Sequence, residues 1–464
     1  MTFSTLNDRL CGSQADPPND TPAGPASVRE TRTGPRLVLG RVFEAVGIVL
    51  LAWMMWRVFF ARERTFDIIA LAVAATGIFA AWLQRKSLRT RIDVSIVICV
   101  GLTALSAVLH RGPHADLVAT TDHTSVWRPI IMASYFYGAT VLLGSERRLG
   151  ALIAAIVGAI SLIGAGASYD NLLFTVHGHP ISEFRSVAQW NGYAEVGLLL
   201  VVAVPLVVAV LAISRRTAAL ASAALLAVML LVFTWEIDAR APYVAMAATV
   251  VVLAVMEVVW FRRFQLLALA SVAAIILAAV FVTHGDWSSA FMQGFRDRFI
   301  GRYASQRINP TGFDTAFGRP TAWRPAVSMI RDHPWLGVGP GRYSYTLVAG
   351  GYASRSSPVS AHAHSLPLQI AAESGVPAAV AFLAIWWSLL GGLRRCCGGN
   401  RSVNLLAFAF GGVLVAYLIR NLGDHFTSGL FVTSDRIEFL LWTLFAAAAA
   451  LIRLGRGVAV KPAS

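Results

Sequence analysis

The chain has 464 residues, of which 39 are Lys or Arg and 25 are Asp or Glu, for a formal charge of +14. Apolar residues make up 56% and charged residues 14%, against about 25% charged in an ordinary soluble domain. This balance excludes a soluble enzyme, a disordered protein and a collagen-like fibre. The four cysteines, Cys11, Cys99, Cys396 and Cys397, do not make a disulfide framework.

Residues 1–36 are rich in Pro, Asp and Ser. They hold no apolar stretch that could serve as a signal peptide and read as a disordered tail. Apolar runs of about 17–25 residues, the length of a bilayer span, then cover 38–56, 66–83, 92–109, 127–144, 149–167, 189–213, 217–235, 242–260, 265–283, 366–391, 403–421 and 437–452. They predict an all-α integral membrane protein with about twelve transmembrane helices. Nine helices fill residues 37–283, a long loop occupies 284–365, three helices fill 366–452, and a tail runs from 453 to 464.

Basic residues set the orientation. Arg and Lys crowd the turns at Arg85–Arg91, Arg147–Arg148, Arg215–Arg216, Arg262–Arg263 and Arg394–Arg401, and both tails. These segments are expected in the cytoplasm, with both termini inside and the long loop outside. The positive charge therefore reflects topology, and nucleic-acid binding is a poor reading of it. All ten His fall on or beside the outer face. Ionisable residues such as Glu44, Asp93, Glu195 and Glu257 stand near helix ends, and almost none sits at mid-span. That argues against an ion-coupled transporter, which needs such groups.

The long loop differs from the rest. Phe291, Phe295, Phe299 and Tyr303 recur every four residues with Arg296, Arg298 and Arg302 between them. The pattern suits a helix lying in the membrane interface or packed on the bundle. A second short helix is predicted near 322–332, with Pro325 close to its first turn and Trp323, Val327 and Ile330 on its apolar face. Then comes Asp332-His333-Pro334-Trp335-Leu336-Gly337-Val338-Gly339-Pro340-Gly341. Such a cluster forces a tight turn, and the bare amides of Gly339 and Gly341 could hold phosphate oxygens. No Walker or dinucleotide fingerprint is present.

Ser360-Ala361-His362-Ala363-His364-Ser365-Leu366-Pro367 runs straight into the tenth predicted helix. Ser365 is placed to be its N-cap and Pro367 falls in its first turn. His364 then sits at the positive end of the helix dipole, where a cation is disfavoured. An uncharged imidazole there can take a proton from an attacking hydroxyl. A capping or interface histidine is the alternative. A zinc site through His362 and His364 lacks a third ligand at useful spacing. Arg185, Asn191, Arg240, Arg319 and Arg420 mark helix mouths on the same side. Each can be a headgroup anchor, or several can converge as a diphosphate clamp.

Taken together, these segments resemble the O-antigen ligase family, within a superfamily that also holds O-antigen polymerases and protein O-oligosaccharyltransferases. The likeness runs over about 185–440 and is best over 318–378. The family pattern H-[NSQ]-x9-G-x-x-G corresponds to His364-Ser365, nine residues, then Gly375-Val376-Pro377, with Ala378 where the last Gly belongs. The run from His333 to Gly341 resembles the segment just upstream, and Arg319 with Trp323 its R-x-x-x-W element. Arg240 matches an Arg usually preceded by Ser, here Ala239. Arg185 and Asn191-Gly192-Tyr193-Ala194 resemble its R…N-x-Y-A region.

The resemblance implies a GT-C-like membrane enzyme of the bacterial inner membrane with a periplasmic active site. It would move a glycan from undecaprenyl diphosphate to a sugar hydroxyl of lipid A–core, with inversion. It implies His364 as base, Arg319 and Arg240 at the diphosphate, and Arg185, Asn191, His362, Gly339 and Gly341 as substrate contacts. No cofactor is expected. No Asp-x-Asp pair occurs in the chain, so arginines would supply the electrostatics. Partners would be the lipid-linked donor, lipid A–core and membrane lipids. A polymerase, a protein O-oligosaccharyltransferase and, more remotely, a flippase or transporter of polyprenyl-linked glycans remain the alternatives.

Overall fold

The structure, a computed structural model, describes residues 34–60, 66–110, 127–177, 202–203, 205–206, 240–261, 319–352, 362–397, 401–423 and 435–459. Among these residues there are helices and no strands. The first six helices are α1 (Pro35–Phe60), α2 (Phe66–Leu83), α3 (Asp93–Leu109), α4 (Trp127–Leu142), α5 (Glu146–His177) and α6 (Arg240–Phe261). The remainder are α7 (Arg319–Asp332), α8 (Tyr343–Ala349), α9 (Leu366–Ser374), α10 (Val376–Cys396), α11 (Arg401–Gly423) and α12 (Asp435–Ala459). Five of them, α1, α2, α10, α11 and α12, carry a segment long and apolar enough to cross a membrane.

Helices form where the apolar runs predict them. In α2 no proline interrupts Phe66–Leu83, and Asp67 complements the positive end of the dipole in the first turn. The fifth helix runs on to His177, past the predicted end at 167. The spans predicted at 217–235 and 265–283, almost all of 189–213, and the aromatic stripe from Phe291 to Tyr303 lie outside the described residues.

The predicted single span at 366–391 is in fact two helices, α9 and α10, broken at Gly375. Gly375 has φ +89°, a region that costs side chains with a Cβ. A Cβ there would stand 2.0 Å from the Trp335 carbonyl oxygen. The Val376 N–H, freed from helical bonding, donates to the Pro334 carbonyl at 2.8 Å. The break is thus made by another segment of chain crossing at the glycine, which hydropathy cannot reveal.

Between apolar helices in lipid, association rests on packing and buried polar ties. At the contact of α2 and α4 the backbones nearly touch: a Cβ on Gly77 would lie 2.5 Å from the Gly138 carbonyl oxygen. The last helix is the centre of the bundle. It packs on α1, α4, α5, α10 and α11, and every residue from Phe439 to Leu451 is buried. Its Phe445 meets Trp386 of α10 edge-on at 5.1 Å, and Trp442 lies 5.7 Å away on the same helix. Tyr135 of α4 shares a hydrogen bond of 2.6 Å with Thr443.

Charged groups tie the two ends of the bundle. At one end Arg128 of α4, fully buried, donates through Nε (3.1 Å) and Nη2 (3.0 Å) to Glu438 Oε2 of α12. Asp67 of α2 lies 3.8 Å from the same guanidinium. At the arginine-rich end Glu44 of α1 accepts from Gln84 Nε2 at 2.7 Å and from Arg148 Nη1, with Lys86 Nζ at 3.4 Å.

Candidate functional site

Residues 319–352 and 362–374 fold as a knot against the C-terminal end of α3. The knot has a small core of its own: Ala326 and Met329 of α7, Val338, Tyr343 and Leu347 of α8, Ala363, and Ala372 of α9. The helix predicted near 322–332 is present as α7. Its inner face, however, is Ala326 and Met329 with Trp323 and Ile330 half-buried, whereas Val327 is 54% exposed. The expected apolar stripe is therefore rotated, with Ala326 and Met329 packed into the core of the knot and Val327 turned out.

The turn from Pro334 to Tyr343 wraps the C-terminal end of α9. Val338 N–H donates to the Ala372 carbonyl (2.9 Å) and Gly339 N–H to the Glu373 carbonyl (3.0 Å). From α3, the Ser106 hydroxyl reaches the Leu336 carbonyl at 2.6 Å and the Glu373 carbonyl at 3.1 Å. The next turn of α3 ends at His110, whose Nδ1 donates to the Ser106 carbonyl at 2.9 Å. Arg342 Nη1 donates to the His110 carbonyl and its guanidinium lies over the Tyr345 ring.

At the hub of the knot is the carboxyl of Glu373, fully buried. It accepts from the backbone amides of Gly341 and Tyr343 and from Gln369 Nε2 at 2.8 Å. These donors favour its charge, but burial outweighs them and lifts the group to about 8. Gln369 faces the other way with its oxygen, which accepts from the Ala363 N–H at 2.8 Å. One helical turn thus links the glycine turn to the strap that carries the two histidines.

His364 has φ +48°, an uncommon setting for a residue with a side chain. Such a setting costs on the order of 1–3 kcal/mol and persists only where neighbours over-determine it. Ala363 before it is fully buried and Ser365 after it nearly so. Ser365 takes the N-cap position of α9 as expected, but its hydroxyl makes no capping bond, and Pro367 falls in the first turn. His364 itself is half-buried. The His362 ring is pushed down to about 4 by burial and by the neighbouring His364 ring, so it is uncharged near neutrality.

The remaining sequence-derived site residues divide as follows. Arg319 opens α7, which packs directly on α9. Arg240 opens α6, which packs on α11, and α11 in turn touches α9. Arg185 and Asn191 lie outside the described residues. Gly339 and Gly341 are at the centre of the knot, but their amides, expected to face a phosphate, are already committed to Glu373. Among the described residues no three His, Cys, Asp or Glu side chains stand together as metal ligands.

Sequence reasoning missed Gln369, Glu373 and Ser106. The first two stood in plain view as the polar pair of an otherwise apolar run. Their spacing of four residues puts them on one helix face, a signal that a uniform lipid-facing span would not carry.

An all-helical membrane protein with a polar knot of short helices on one end of its bundle is the class these features define. A family model described as O-antigen ligase matches residues 237–383, a stretch that runs from the start of α6 through the knot and into α10. This agrees with the family read from the motifs. No curated protein matches the chain.

Proposed function

We propose that the chain is an O-antigen ligase. It transfers glycan from undecaprenyl diphosphate to a sugar hydroxyl of lipid A–core at the periplasmic face of the inner membrane. The observation that carries this reading is the family match over 237–383. That stretch includes Arg240, Arg319 and the strained His364 on its buried strap.

The acceptor hydroxyl attacks the anomeric carbon of the donor and inverts it. As the new C–O bond forms, the hydroxyl proton passes to His364 and the bond to the lipid diphosphate breaks. The leaving group is an anion and needs cations rather than a proton. Arg319 and Arg240 pair with its phosphates in the bidentate manner that guanidinium allows. Arg185, Asn191 and His362 make lesser contacts to substrate, His362 as a neutral group. Gly339 and Gly341 serve shape, since their amides are held by Glu373. The polyprenyl tail lies along the apolar helices.

Deleting the gene tests the reading. A ligase deletion leaves full-length polymer on the lipid carrier and bare lipid A–core. Accumulation of single repeat units would instead identify a polymerase. Loss of glycoprotein with intact lipopolysaccharide would identify the protein-modifying branch. Complementation with His364→Ala is expected to give inserted protein and no transfer, and normal transfer by that variant would reject the base assignment.

A further inference from the structure

Two buried polar side chains of α9 have no part in that chemistry, yet they join the segments that flank it. Gln369 is fully buried and Glu373 nearly so. Gln369 accepts from the amide of Ala363, the residue before His364, and donates to Glu373. Glu373 in turn takes the amides of Gly341 and Tyr343. A side chain that must both accept and donate along one helix face is met by Gln and by no apolar residue. The strap and the glycine turn are 22 residues apart in sequence from Gly341 to Ala363, and this pair makes them one unit.

We propose that Gln369 and Glu373 are positioning residues of the transfer reaction: they clamp the left-handed backbone at His364 against the 337–343 turn, so that the imidazole is presented in one orientation. The inference rests on the reading of His364 as the base. The physical need is plain. A left-handed residue has an extended or right-handed alternative close by in energy, and either would swing the ring away from its target. The Ala363 amide is the nearest fixed point on the strap, and Gln369 is what fixes it. Neither residue touches substrate in this arrangement, so both act through His364 and the turn.

The test uses the full chain in detergent or nanodiscs, with two variants. Gln369→Leu removes its bonds to the Ala363 amide and to Glu373 at similar size. Glu373→Gln keeps the volume but replaces a carboxyl oxygen, which can accept even when protonated, with an NH2 that only donates, and it leaves a usable variant should the first fail to insert. Each is expected to lower kcat about 10- to 100-fold, the usual cost of a misplaced catalytic group, with KM for the lipid-linked donor little changed. Hydrogen exchange of residues 362–365 is expected to quicken in both variants, since a buried amide loses its partner directly in one and through a loosened Gln369 in the other. Unchanged kcat, a rise in KM as large as the fall in kcat, or unchanged exchange at 362–365 would overturn the proposal. A wild-type chain that transfers no glycan strikes the proposed function instead. Exchange then decides the clamp by itself, faster exchange upholding it and unchanged exchange overturning it.

Discussion

The bundle and the knot are held together by different means. In the bundle, apolar helices lie side by side, and side chains supply the specific ties, among them Arg128 to Glu438 at one end, the Glu44 cluster at the other and Tyr135 to Thr443 between helices. In the knot, short segments far apart in sequence exchange backbone hydrogen bonds around one buried carboxyl. The difference teaches where precision is needed. Packing in lipid tolerates small shifts of a helix, whereas a backbone amide bound to a carboxyl fixes its chain to a fraction of an ångström. If His364 is the base, as proposed, it stands on the second kind of scaffold, the kind a positioned proton acceptor requires.

Gly375→Ala is the hardest blow to the knot. The new methyl would overlap the Trp335 carbonyl and sit on a left-handed backbone, so we expect a loss of more than about 4 kcal/mol. Gly101→Ala, in the bundle, is its control. Nothing lies within 4 Å of the added Cβ, and a helical Gly→Ala gains about 1 kcal/mol at most. Thermal unfolding in detergent compares the two, and equal shifts would erase the distinction drawn between the regions.

Next in size, Arg128→Met leaves Glu438 buried without its main cation and should cost about 3–5 kcal/mol. Adding Glu438→Leu should recover most of that. A double variant as unstable as the single one would mean that the pair is needed for more than mutual neutralisation.

A smaller effect follows from Glu373. Its ordinary value is 4.5 and the folded protein raises it to about 8. The native state therefore holds a proton that the unfolded chain releases. The stabilisation from this group is complete below about pH 4.5, fades as the pH rises through 8, and is flat beyond. Melting curves from pH 5 to 9 should show this decline in the wild type and lose it in Glu373→Gln. Smallest of all, Lys86→Ala removes a half-exposed partner of Glu44 at 3.4 Å and is expected to change stability by about 0–1 kcal/mol.

Among the described residues, sequence carried most of the bundle, because a bilayer span is a local property of some twenty residues. The ends of α2, α3 and α4 lie close to the apolar runs that predict them, whereas α12 runs on to Ala459, past the predicted end at 452. It carried the histidine strap and the N-cap position of Ser365 for the same reason. It could not carry the break at Gly375, since that depends on Trp335 crossing from forty residues earlier in the chain. Nor could it show that the Gly339 and Gly341 amides face inward, since their acceptor is Glu373, on a helix read as part of a plain span. Val327 was assigned inward by periodicity alone, and the small core under α7 chose Ala326 and Met329.

The position of α12 has a consequence for how the protein is made. Five of the described helices, α1, α4, α5, α10 and α11, pack on it, and all five precede it in the chain. Arg128 stands 310 residues before Glu438, and until α12 is in place its counter-charge in α2 is Asp67, at 3.8 Å. The contacts that α1, α4, α5, α10 and α11 make with α12 can therefore form only once α12 has been made. A chain cut short before residue 435 would keep residues 319–374 yet lack the helix on which those five pack, and would leave Arg128 without Glu438.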